Sequence, residues 1–314
     1  MSRKMLSACA AFLLTTAPAG AAGQDGDAAP AAEPSETKDR LSPGRMDALV
    51  RAPMSIVETG GLPAGKAAFE RLIAAARAEH GERSVEIADL LTAFGVGLYV
   101  FGSLGDPRIR EESIPYLEAA VPAYRAAFGD AHPEVAVALH SYADVQLALH
   151  EDDPPQSAET ALDEAYRIRL SALGPANVET LSSLRYLARL RGLPSRTRGD
   201  PARIEAAAGL FRQLIANSPN DPRLMYVSAP YGRTALARLY ARNGMAGEAR
   251  AQLRLAAQQA ASWDEIERCS FVAGEISPVA NLLAGEAAGA GESVLPGLEA
   301  LAGCVVPEDD PAED

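Results

Sequence analysis

Through the middle of this chain, apolar residues recur three and four positions apart and not on alternate positions. Phe69, Leu72 and Ile73 fall on one face between residues 65 and 79. Tyr116, Leu117, Val121 and Tyr124 do the same between 111 and 127, and Ala158, Leu162, Ala165 and Ile168 between 157 and 172. That is the period of an amphipathic helix, in which residues three and four apart share a face. Further stripes run through Ile204, Leu210, Phe211 and Leu214, and through Leu253 and Ala256. Gly and Pro punctuate the spaces between them, most heavily at Asn217-Ser218-Pro219-Asn220-Asp221-Pro222. The pattern predicts an all-helical chain.

The helices repeat in register. Glutamate stands five residues after Gly81, Gly129 and Gly174, as Glu86, Glu134 and Glu179. Ten after each glycine is a leucine (Leu91, Leu139, Leu184), then a larger residue (Phe94, Tyr142, Leu187), then a small one (Gly95, Ala143, Ala188). The glycines are spaced by 48 and 45 residues, a period that signals stacked helical hairpins. Each glycine is expected to end a helix in a left-handed conformation. Pro133 suits a first helical turn, where the missing amide has no internal partner. A fourth, looser unit runs through Leu236-Ala237-Arg238-Leu239-Tyr240, a break at Asn243-Gly244, and Glu248-Ala249. Residues 192–202 read as a loop between hairpin partners, and Pro122 should kink or split its helix. The expected core includes Leu91, Phe94, Leu139, Tyr142, Leu184, Leu187, Leu236 and Leu253.

The ends differ from the middle. Arg3 and Lys4 precede the apolar run Met5–Thr16, and Ala19-Gly20-Ala21 offers a small-residue cleavage site. Residues 1–22 therefore read as a signal peptide cut near Ala21 or Ala22, which implies a periplasmic or secreted protein with no membrane span after cleavage. Residues 23–59 read as a disordered or weakly ordered leader, residues 60–262 as the repeat domain and residues 263–307 as a C-terminal cap. The acidic end, 308–314, reads as a disordered tail.

Composition narrows the function. Formal net charge is -13 over 314 residues, which argues against a general nucleic-acid binder. The four histidines, His80, His132, His140 and His150, form no His-x-x-x-His pair, so no metal site is expected, and no cofactor is implied. A Cys-x-x-Cys pair, a glycine-rich phosphate loop and Gly-x-Ser-x-Gly are missing, and no catalytic residues are assigned. Signal cleavage would remove Cys9 and leave Cys269 and Cys304 in a compartment that permits disulfides. Their bridge would pin a cap over the last apolar face of the array.

Gly129, His132, Pro133, Val135, Leu139, Tyr142 and Ala143 resemble the tetratricopeptide (TPR) repeat in its longer, kinesin-light-chain variety. Leu236, Ala237, Leu239, Tyr240, Gly244, Glu248 and Ala249 match the general TPR form. The third unit departs, with Asn177-Val178 where histidine–proline would stand. The resemblance covers residues 65–262 and implies a right-handed α-α superhelix, a solenoid of about four to five hairpins. It also implies a protein- or peptide-binding scaffold with no enzymatic activity. In the resembled fold the first helix of each hairpin lines a concave groove, which places His140, Asp144, Arg185, Arg189, Thr234, Arg238 and Arg242 there. Four of these are arginines inside an acidic molecule, so the expected partner is an acidic segment or a C-terminal carboxylate. Two other readings stand beside this one: a structural component organising an envelope assembly, and an enzyme with an unrecognised site in the C-terminal region.

Overall fold

Gly81, Gly129 and Gly174 each stop a helix with φ between 83° and 88°. Their ψ values, 163° to 169°, are extended, so this is the mirror-image β region and not the left-handed helical well expected from the sequence. Only glycine populates that region freely. Each glycine amide still closes the last helical turn, donating to the carbonyl of Arg77, Arg125 or Leu170. The structure is a computed structural model and describes residues 43–104, 106–286 and Cys304. The expected signal peptide and acidic tail lie outside the described residues. The chain divides into two compact units, the first ending at Leu149 and the second beginning at His150.

The first unit contains α1 (Pro43–Gly60), α2 (Leu62–His80), α3 (Val85–Leu104), α4 (Pro107–Glu111), α5 (Ile114–Phe128) and α6 (Pro133–Leu149). The leader assigned to residues 23–59 is corrected over its second half, because α1 is a helix packed on α2 and α3. Its buried Val50, Pro53 and Val57 are spaced three and four apart, so it has an apolar stripe that the Ala/Pro-rich flank hides. The stretch Val85–Ser103 is long and apolar enough to cross a membrane by length and composition, and 78% of it is buried inside the protein. It is the central helix of this unit, packed against α1 and α5. Gly95 lets α5 come close, since a Cβ there would sit 2.7 Å from Leu117. Phe69 and Phe94 stack at 4.0 Å, and Tyr116 meets both edge-on. The buried Asp89 carboxylate accepts the Tyr124 hydroxyl at 2.5 Å. Pro122 does not split α5: it is exposed, and the carbonyl it leaves unpaired belongs to Glu118, also exposed.

The second unit contains α7 (Gln156–Leu173), α8 (Val178–Arg191), α9 (Pro194–Thr197), α10 (Pro201–Asn217) and a 3₁₀ turn (Pro222–Val227). After these come α11 (Ala229–Arg242), α12 (Ala246–Ala260), α13 (Glu265–Phe271), a π-helical turn (Val272–Ile276) and α14 (Ser277–Glu286). Neighbours pack in the order α7–α8, α8–α10, α10–α11 and α11–α12, and α14 packs back on α11. One apolar core runs from Leu181 to Leu283 and includes Cys304. The reading of residues 192–202 as a loop is corrected: 194–197 form a helical turn and Pro201 opens α10. Arg196 fastens this segment, donating to Glu159 at 3.0 Å and to the Pro154 carbonyl at 2.6 Å. The repeat glutamate Glu179 pairs at 2.5 Å with Arg169, which is buried on α7.

Seven of the eight expected core residues are buried. Tyr142 is the exception: it is half-buried, and its hydroxyl accepts the Gln146 amide at 3.2 Å. A phenol keeps its polar tip near water more readily than leucine keeps a methyl there.

Candidate functional site

On α8, Arg185 and Arg189 are four residues apart, and on α11 Arg238 and Arg242 are four apart, so each pair shares a face. In the second unit Arg189 of α8 lies near enough to Arg242 of α11 for its charge to be felt there. Burial and the positive charges of Arg238 and Arg189 together pull the Arg242 guanidinium below its ordinary pKa. Arg238 has a counterion, Glu275 on the π-helical turn, at 3.5 Å. Among the described residues, Arg189 and Arg242 have no carboxylate in an ion pair. Arg189 and Arg242 are both exposed, so the cluster is an open positive face that water solvates and an anion could share.

Arg185 is held differently. Its guanidinium lies 4.6 Å from the centre of the Tyr226 ring and 5.1 Å from that of Tyr186. Such stacking leaves the guanidinium edge able to donate hydrogen bonds. Tyr226 is half exposed, as is its neighbour Met225, whose φ of 31° is the only positive value outside glycine among the described residues. A side chain rarely adopts that backbone, so the turn at Met225 is strained.

Thr234 is corrected. The sequence places it in an accessible groove, yet it is fully buried and its hydroxyl donates to the Tyr231 carbonyl at 2.9 Å. The C-terminal helices pack on α11 beside it. Tyr231 of α11 meets Phe271 at 4.7 Å, and Phe271 meets Trp263 at 5.2 Å. This aromatic block ties α13 to the start of α11, while further along the helix Arg238 is half-buried and Arg242 is exposed. The sequence reading missed Tyr226, Tyr231, Trp263 and Phe271. The available signal was composition: aromatics make up only 5% of the chain, yet these four fall between residues 226 and 271.

His140 and Asp144 belong to the first unit, half-buried and four residues apart on α6. Cys269 and Cys304, paired from the sequence, are joined by a disulfide with Cα atoms 5.5 Å apart. Among the described residues, no three His, Cys, Asp or Glu side chains gather with metal-binding geometry.

No protein-family model matches the sequence, and no curated protein matches it either. Solved structures do. The nearly identical TPR-like repeats of a kinesin light chain candidate from Podosopora anserina match with a TM-score of 0.52 at 18% identity, over 72% of this chain and 100% of that one. A point variant of the same repeats matches with a TM-score of 0.51, also at 18% identity, over 69% of this chain and 95% of the other. The fold expected from the sequence, all-α and TPR-like, is the fold of the chain.

Proposed function

We propose that this chain is an exported protein-binding scaffold without catalytic activity. Its second unit holds an acidic segment or the C-terminal carboxylate of a partner on Arg189 and Arg242, flanked by Arg185 and Arg238. A TPR-like fold supports the scaffold reading, because stacked hairpins present side chains along open faces. The observation that carries the site is the gathering of Arg189, Arg238 and Arg242 with an intramolecular counterion for Arg238 alone. Arginine forks match carboxylates with two parallel, charge-assisted hydrogen bonds. The described residues of the second unit balance their acidic and basic side chains, so the local gathering of arginines, not the net charge of the chain, favours an acidic partner here. Export rests on the order of charged, apolar and small-residue regions in residues 1–22.

Affinity capture from the native envelope extract tests the reading. Wild type is compared with an Arg189→Ala/Arg242→Ala variant, chosen because neither residue has an ion-pair partner whose loss would disturb the fold. A captured protein that is present with wild type and absent with the folded variant is the expected outcome. An identical set of captured proteins removes this face from consideration.

A further inference from the structure

A second cationic group sits on the other side of α11. Arg233 is nine residues from Arg242, and at about 100° per residue the two point in opposite directions. Arg233 is half-buried, and its guanidinium is engaged by neutral groups only. Its Nε donates to the Gln259 side-chain oxygen at 2.8 Å, and Nη1 donates to that of Gln252 at 3.1 Å. Among the described residues no carboxylate pairs with it. Burial pulls its pKa below the ordinary arginine value. A charge withdrawn from water without a counterion is costly, and a structure that needed only packing here would serve better with an apolar residue.

Arg233 opens on a cleft of about 440 Å³ between α10, α11 and α12. That is the size of a small-ligand pocket. Ile215, Ala216 and Ala229 give it an apolar wall. The Gln252 and Gln259 oxygens are occupied by Arg233, so their amide NH2 groups are the ends left to donate. Arg212 lines the same cleft, but its charge is already matched by Glu205, and it also donates to the Tyr240 hydroxyl at 3.2 Å. The cleft thus offers one uncompensated positive charge, amide donors beside it and an apolar wall.

We propose that this cleft binds a small monocarboxylate carrying a short apolar tail, with the carboxylate on Arg233 and the Gln252 amide and the tail against Ile215 and Ala229. One positive charge matches one negative charge. A dianionic phosphate would bring a second charge that the described residues do not answer. The site is separate from the Arg189/Arg242 face, and neither reading depends on the other.

The test is isothermal titration of the purified chain with 4-methylpentanoate and with its uncharged analogue 4-methylpentanamide, at fixed ionic strength. The informative variant is Gln252→Glu, which places a carboxylate beside Arg233 while keeping the arginine and the size of the side chain. Saturable binding of the carboxylate in the millimolar range or tighter is expected, with no binding of the amide. Gln252→Glu should weaken it by at least about tenfold, and Arg189→Ala/Arg242→Ala should leave it unchanged. Absence of carboxylate binding overturns the proposal. So does equal binding of the amide, full binding by Gln252→Glu, or a loss seen only in the Arg189/Arg242 variant.

Discussion

The glycines at 81, 129 and 174 show how much a single residue type can specify. A Cβ added at any of them would meet no atom within 4 Å, so space is not the reason for glycine. The reason is the backbone, which turns from helix into a mirror-β conformation that a side chain resists. Gly129→Ala should therefore cost about 1–3 kcal/mol in denaturant unfolding. Gly209 provides the contrast: it lies inside α10 with ordinary helical geometry and open space at its Cβ. Gly209→Ala should stabilise by up to about 1 kcal/mol, because alanine loses less entropy in a helix. Equal effects at the two positions would contradict this account. At this scale the sequence was legible where the backbone demanded one residue type, and less so where burial depended on distant packing. Thr234 sits at the expected register position on α11, but helical periodicity cannot show that tertiary packing buries it.

Among the elements, those defined by a strong stripe and a stop signal were readable, and those defined by what they pack against were not. Helix α1 was missed because three buried residues are a weak stripe beside a disorder-like flank. The short helix at 194–197 was missed because its stability lies in the Arg196 contacts to Glu159 and Pro154, made about forty residues away. The C-terminal cap was legible only through its cysteines. Their bridge closes a loop of sequence separation 35, tying the segment that follows α14 to α13, and Cys304 is buried in the core. Protein purified from an oxidising compartment should take up no alkylating agent before reduction and two equivalents after it, read by intact mass. Cys304→Ser should lower unfolding free energy by about 2–4 kcal/mol. Two alkylated thiols without reductant would contradict the bridge.

For the molecule as a whole, net charge is -13, yet the described residues of the second unit are charge-balanced, so the local gathering of arginines decides the reading. The arginines of α8 and α11 concentrate positive charge locally within that unit. The candidate stripe was half legible. Helical register predicted that Arg185 and Arg189 share one face and Arg238 and Arg242 another. It could not predict that Glu275, folded back with the cap, would take Arg238, or that Tyr226 would stack on Arg185. What remains open to a partner is narrower than the sequence suggested, centred on Arg189 and Arg242.

The most direct measurement of that claim is fluorescence anisotropy of a labelled, unstructured acidic peptide with a free C-terminus, titrated with wild type and with Arg189→Ala/Arg242→Ala at low and at moderate salt. The account predicts saturable binding to wild type that weakens as salt rises. It also predicts a loss of at least about tenfold in the variant, equivalent to about 1.4 kcal/mol. Binding that is indifferent to salt, or equally strong in the folded variant, would contradict it.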